Sequence, residues 1–296
     1  MEPSAPLVRL RLDLAYDGTD FAGWARQAGG VRTVQGALEE ALAVAVGRAP
    51  GPVPRLVVAG RTDAGVHATG QVAHVDLSEA QLGALVRRHG GAGEAARVAE
   101  RLTGMLAATG DVVVHRATLA PPGFDARFSA VHRRYRYRIA DTTRARDPLQ
   151  RRRTLWYPRK LELELLRAAA DPMPGLHDFA AYCRPRPGAT TIRSLQAFDW
   201  DRDADGVLVA EVRADAFCHG MVRSLVGASL AVGTGRLPPA RMRQLLDAEA
   251  RTGEFATAPA HGLTLVEVAY PADAELAAQA ERARARRGAE DTPPMG

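Results

Sequence analysis

The chain has 296 residues, enough for one large domain or two ordinary ones, and its 46% hydrophobic content is sufficient to build a buried core. No stretch approaches the run of about 18 apolar residues that a membrane-spanning helix needs, and the opening MEPSAPLVRLRLDL lacks the apolar centre expected of a signal peptide. The net charge of +5 favours polyanionic partners, but Lys160 is the sole lysine, so the arginine excess fits coding bias as well as RNA binding.

Residues 7–16 alternate, with Leu10, Leu12, Leu14 and Tyr16 on one face and Arg9, Arg11 and Asp13 on the other. That pattern predicts a half-buried strand, ended by the Asp17-Gly18 turn. Thr33 is placed to cap a helix through Val34, Leu38, Ala41, Leu42 and Ala45. A strand at 55–59 feeds a glycine-flanked turn, and a second strand covers Gly70–Asp76. Helices follow at about 78–88 and 94–107 around HGGAG, and then a strand over Val112–Leu119.

Pro121-Pro122-Gly123 breaks the pattern and marks the domain join. Arg134–Ile139 reads as a strand with Tyr135, Tyr137 and Ile139 on one face and three arginines on the other. A helix is predicted at 161–170. Strands at 192–201 and 207–217 form a hairpin about Asp203–Gly206. Helices follow at 221–232 and from Pro239, and a closing strand covers Leu263–Tyr270. Residues 273–296 read as an exposed helical tail. The expected organisation is therefore α+β, in two halves at 1–119 and 120–272, with helices on mainly antiparallel sheets. Cys183 and Cys218 lack CxxC spacing, so two separate thiols in a reducing compartment are expected. The eight histidines show no ligand spacing, so no metal is expected.

The stretch with most chemical content is Ala59–His74, AGRTDAGVHATGQVAH. A strand enters a polar turn in which Gly60, Gly65 and Gly70 permit unusual backbone angles, and the turn presents the carboxylate of Asp63. Arg61, two residues away, is placed to keep that carboxylate ionised. The bland alternative is a turn-capping Asp beside a surface cation. The spacing fits neither a phosphate-cradling P-loop nor a dinucleotide fingerprint.

GRTDAGVHATGQVAH resembles the signature of the tRNA pseudouridine synthase A family. Further blocks resemble that family in the same order: YDGTDFAGWARQ at 16–27, FDARFSAVHRRYRY at 124–137, His177-Asp178-Phe179, FCHGMVRSLVG at 217–227 and APAHGLTLVEVAY at 258–270. The likeness spans about residues 8–271. It departs at 104–114, where GMLAATGDVVV replaces the family's usual Asn-x-x-Leu-Pro stretch.

The resemblance implies the pseudouridine synthase fold: two similar α+β domains around a central basic cleft. It implies isomerisation of uridine to pseudouridine at positions 38, 39 and 40 of the tRNA anticodon arm. It also implies a cytoplasmic homodimer that binds tRNA and needs no cofactor. Asp63 would be the catalytic carboxylate, either attacking the sugar or abstracting a sugar proton. Arg61, Arg223, Tyr135 and Leu263 would contact substrate, Tyr135 by stacking on the base or relaying its proton. The arginines of 133–138, and Arg151–Arg153 with Arg159, are candidates for phosphate contacts. Two rivals remain at this stage. One is a noncatalytic RNA-binding protein on the same fold. The other is a sugar hydrolase, which would need a second carboxylate that no nearby motif supplies.

Overall fold

The computed structural model describes residues 6–86, 94–248 and 250–285. HGGAG and the final DTPPMG lie outside these. The chain divides into two compact units, one holding the residues up to Val131 with Glu267–Arg284, the other holding His132–Val266.

The first unit begins with β1 (Leu7–Tyr16), α1 (Val34–Val46), β2 (Leu56–Val58), β3 (His67–Ser78), α2 (Glu79–Val86), α3 (Glu94–Leu106) and β4 (Val112–Leu119). The strand order is β4-β1-β3 with β2 beside β3, and these pairings are all antiparallel. The alternation of β1 is realised, with Leu10, Leu12 and Leu14 fully buried. Its polar face is used as well, because Arg9 grips Asp76 of β3 through two nitrogens at 2.7 and 2.8 Å. Thr33 caps α1 by accepting the N–H of Gly36 at 3.1 Å. Glu39 of α1 is buried, and its carboxylate meets Arg26, Arg55 and the N–H of Leu56, each at 3.0 Å. Helices α1, α2 and α3 contact one another, while α2 also touches β3 and α3 touches β4.

The second unit contains β5 (His132–Ala140), β6 (Leu155–Trp156), α4 (Leu163–Ala170), β7 (Gly175–Asp178), β8 (Ile192–Arg202), β9 (Leu208–Ala214), α5 (Met221–Gly233) and α6 (Ala240–Gln244). Strand β10 (Leu263–Ala269) starts in this unit and ends in the first. The order β5-β9-β8-β7 is antiparallel throughout, and β6 runs parallel to β5. The β8–β9 hairpin forms where the sequence places it. Asp203 Oδ1 accepts the N–H groups of Asp205 and Val207 at 3.1 and 2.9 Å, which fixes the turn. Strands β6 and β7 have two and four residues, too few to show periodicity in the sequence. Helix α4 packs on β8 and α5.

Two features depart from the sequence reading. Cys183 and Cys218 are not separate thiols. They form a disulfide with Cα atoms 5.8 Å apart, because the turn after β7 and the loop before α5 run side by side. The chain end carries α7 (Leu276–Arg284), which belongs to the first unit, and its Leu276 and Ala280 are buried. Ser129 Oγ donates to Leu276 O at 3.1 Å, tying this helix to the FDARFSA segment. Among the described residues, no helix is long and apolar enough to cross a membrane.

Candidate active site

Asp63 sits in the turn 59–66 between β2 and β3, part-exposed. The turn is held from several sides. Gln71 Nε2 donates to Gly60 O at 2.9 Å, and the N–H of Trp24 donates to Thr62 O at 3.0 Å. The hydroxyls of Tyr16 and Thr62 are 2.8 Å apart, and Gln71 also reaches the Tyr16 hydroxyl at 3.2 Å. Burial pushes the Tyr16 phenol up to about 12, so it remains a hydrogen-bond donor at neutral pH. The N–H of Val66 closes back onto Asp63 O at 3.2 Å. Gly65 takes a φ of +76°, which the turn requires and other residues resist.

The YDGTDFAGW block is the other half of this construction. Gly18 N–H donates to His67 Nδ1 at 3.0 Å, and Gly65 N–H donates to Phe21 O at 3.3 Å. A Cβ on Gly18 would lie 2.0 Å from Val66 O, so no larger residue lets these two segments close. The end of β3 anchors a third block. His74 Nδ1 accepts the N–H of Ala126 at 3.0 Å, and Arg9 Nη1 donates to Phe124 O at 2.6 Å. Burial lowers the His74 pKa to about 4, which keeps the ring neutral and able to accept. The YDGTDFAGW block thus frames the Asp63 turn directly, whereas the FDARFSA block is fixed further along the same strand pair, where Arg9 of β1 lies opposite Asp76 of β3.

The remaining predicted site residues are placed as follows. Arg61 is exposed, and its guanidinium makes no hydrogen bond or ion pair among the described residues. The Arg61–Asp63 pairing suggested by their spacing is therefore absent. Tyr135 on β5 is only 7% exposed and meets Phe217 edge-on, with centroids 5.2 Å apart. Tyr137, on the same face, is core. Its hydroxyl donates to Pro259 O at 2.8 Å, and burial raises its pKa. Arg223, in the first turn of α5, donates from Nε to Ala258 O at 2.8 Å, while Ala258 N–H returns to Arg223 O at 3.0 Å. Leu263 is buried at the start of β10.

The arginines on the other face of β5 meet carboxylates: Arg134 and Arg136 meet Glu211 at 3.0 and 2.9 Å, and Arg138 meets Asp203 at 3.0 Å. Tyr16, Thr62, Gln71, His67 and His74 were not singled out from sequence as positioning groups. Their sequence signal was only membership of the resembling blocks. Among the described residues, no group of three or more His, Cys, Asp or Glu side chains is placed to hold a metal ion.

Comparison with known proteins decides the family. A sequence 59% identical over 94% of this chain, spanning 97% of its own length, is the tRNA pseudouridine synthase A of Leifsonia xyli. The chain belongs to the tRNA pseudouridine synthase A family. The relative from Frankia casuarinae is 55% identical over 95% of this chain and 96% of its own length. That from Streptomyces griseus is 53% identical over 94% and 93%. The model of the family described as tRNA pseudouridine synthase matches residues 169–271, of which 169–266 belong to the second unit and 267–271 to the first. Members of the tRNA pseudouridine synthase A family are isomerases. In this member the Asp63 turn lies in the first unit, and Tyr135 and Arg223 lie in the second.

Proposed function

We propose that the protein converts uridine to pseudouridine at positions 38, 39 and 40 of the tRNA anticodon arm, with Asp63 as catalytic carboxylate. The observation that carries this reading is the clamped turn. A part-exposed Asp is presented between two strands, and the residue before it is hydrogen-bonded to the end of β1.

The reaction breaks the bond between the sugar and uracil N1. The base then turns, and carbon 5 bonds to the sugar carbon. The C5 proton is lost and N1 ends protonated, so nothing enters or leaves overall and no redox partner is needed. The detached base must be held and water kept out, which one carboxylate in a closed pocket can serve. Asp63 acts either as nucleophile on the sugar or as the base that forms a glycal. The target uridine is extruded from the stack at a cost of about a few kcal/mol. Tyr135 meets the base or relays its proton. Arg223 engages phosphate or the ionised Asp63, Arg61 contacts the substrate, and Leu263 lines the uracil side. The basic cleft between duplicated halves, the homodimer and the cytoplasmic location belong to the same proposal.

The test is tritium release from tRNA transcripts labelled at uridine C5, comparing wild type with Asp63→Asn. Release by wild type alone, with pseudouridine mapped to the anticodon arm, is expected. Binding of tRNA by wild type without tritium release would overturn the catalytic reading.

A further inference from the structure

A groove of about 370 Å³ opens within the second unit, bounded by the β6 segment, by α5 and the turn that follows it, and by residues 256–259. Its lining includes Trp156, Pro158, Arg159, Leu230, Thr234 and Arg236. That volume is in the range that holds a small ligand or a single nucleotide.

Trp156 is 39% exposed, whereas the other two tryptophans, Trp24 and Trp200, are buried. Arg146 backs the indole, its guanidinium carbon 5.7 Å from the ring centroid, and Arg146 Nη2 donates to Tyr157 O at 3.3 Å. The ring is thus held in place while much of it faces solvent.

The guanidinium groups of Arg159 and Arg236 make no hydrogen bond or ion pair among the described residues. This separates them from Arg134, Arg136, Arg138 and Arg202 of the same unit, each of which meets an Asp or Glu. Two uncompensated cations beside an exposed indole match the way single-stranded nucleic acid is held, by base stacking and backbone charge. The groove also adjoins Arg223, because Ala258, which accepts the Arg223 hydrogen bond, is part of its lining. Leu230 follows Arg223 by two helical turns, about 10 Å along α5.

We propose that this groove binds one unpaired nucleotide of the substrate RNA, with its base on Trp156 and a flanking phosphate held by Arg159 and Arg236. The proposal rests on the reading that the substrate is RNA, and it adds a subsite for a nucleotide other than the isomerised one. It gives Arg159 and Arg236 a role that Arg134, Arg136 and Arg138 of β5 cannot fill while paired with carboxylates.

The experiment uses the full chain and two probes, an oligouridylate hexamer and an anticodon-arm transcript. It follows tryptophan fluorescence and affinity across a salt series. Both probes are expected to quench the wild-type signal. Trp156→Phe should lose most of the quench and bind within about threefold of wild type, because a phenyl ring still stacks. Trp156→Ala should bind about tenfold or more weakly. Arg159→Ser and Arg236→Ser should each lower the slope of log affinity against log salt by about 0.7. Melting curves check that each variant is folded, and the Phe variant keeps the test valid if the Ala variant is not. No quench in wild type, or an unchanged salt slope in both arginine variants, overturns the proposal. It also fails if Trp156→Ala alters only the oligomeric state, which would make the groove a contact between copies of the chain. Tritium release by wild type is read separately. Release without quench rejects the groove alone, and quench without release rejects the catalytic reading alone.

Discussion

The hydroxyl of Tyr16, the last residue of β1, lies 2.8 Å from that of Thr62, the residue immediately before Asp63. The aspartate is therefore positioned by a strand that precedes it by more than 40 residues. Tyr16→Phe removes this bond and leaves Thr62 and Gln71 to find other partners. Stability should fall by about 1 kcal/mol. The turnover number for tRNA should fall more than that loss alone would suggest, because the turn loosens while the core persists. Single-turnover kinetics alongside denaturant melts would check this, and an unchanged rate would remove Tyr16 from the positioning role.

Gly18→Ala puts a methyl group where Val66 O stands 2.0 Å away. Neither segment can retreat without breaking the Gly18–His67 bond. A loss of about 2–3 kcal/mol is expected, the usual cost of overpacking. The loss of stability should exceed that of an alanine substitution at an exposed glycine such as Gly253, where an added Cβ meets nothing within 4 Å. Urea unfolding curves of the two variants decide the point.

Arg61 offers the opposite case. Its guanidinium makes no hydrogen bond or ion pair among the described residues, so Arg61→Ala should change stability by no more than about 0.5 kcal/mol. A substrate-contacting role predicts a several-fold rise in KM or fall in kcat with the melting temperature unchanged. A variant that melts early yet keeps normal kinetics would assign Arg61 to structure instead.

His74 makes stability depend on pH. Its folded pKa, about 4, lies below the ordinary 6.5, chiefly because burial disfavours the charged ring and secondarily because Arg9 is near. Between those values the unfolded chain binds the extra proton, so stability falls as pH drops from about 6.5 towards 4. Protonation also removes the acceptor for Ala126 N–H. In His74→Gln, whose amide oxygen can take that N–H, the slope across this window should be shallower. His177, also lowered by burial, adds to the slope in both proteins, so the difference isolates His74. Denaturant titrations at pH 6.5, 5.5 and 4.5 measure it, and parallel slopes would contradict the assignment.

Glu39 is buried against two arginines that are themselves largely exposed. In Glu39→Ala, Arg26 and Arg55 regain water, but Leu56 N–H loses its partner just ahead of the Asp63 turn. A cost of about 2 kcal/mol is expected, read as a shift in the denaturation midpoint without a change in slope. A neutral result would mean that water replaces the carboxylate.

The sequence by itself determined the local elements that carry a long repeat. The two-residue alternation of β1 and β5, the Thr33 cap and the Asp203–Gly206 hairpin follow from side-chain spacing and turn chemistry, which act over a few residues. The sequence also determined the family, since the blocks that resemble it span nearly the whole chain. Tertiary structure decided what each block touches. That Thr62 is bonded to Tyr16, that His74 holds Ala126, and that Arg61 stands apart from Asp63 are consequences of strand register and segment packing. It decided too that Cys183 meets Cys218, and that Arg134, Arg136 and Arg138 of β5 meet Glu211 and Asp203 while Arg159 and Arg236 meet no carboxylate among the described residues. The physical reason is the same throughout: hydrogen bonds and ion pairs form wherever folding brings complementary atoms within about 3 Å, and separation along the chain carries little information about that distance.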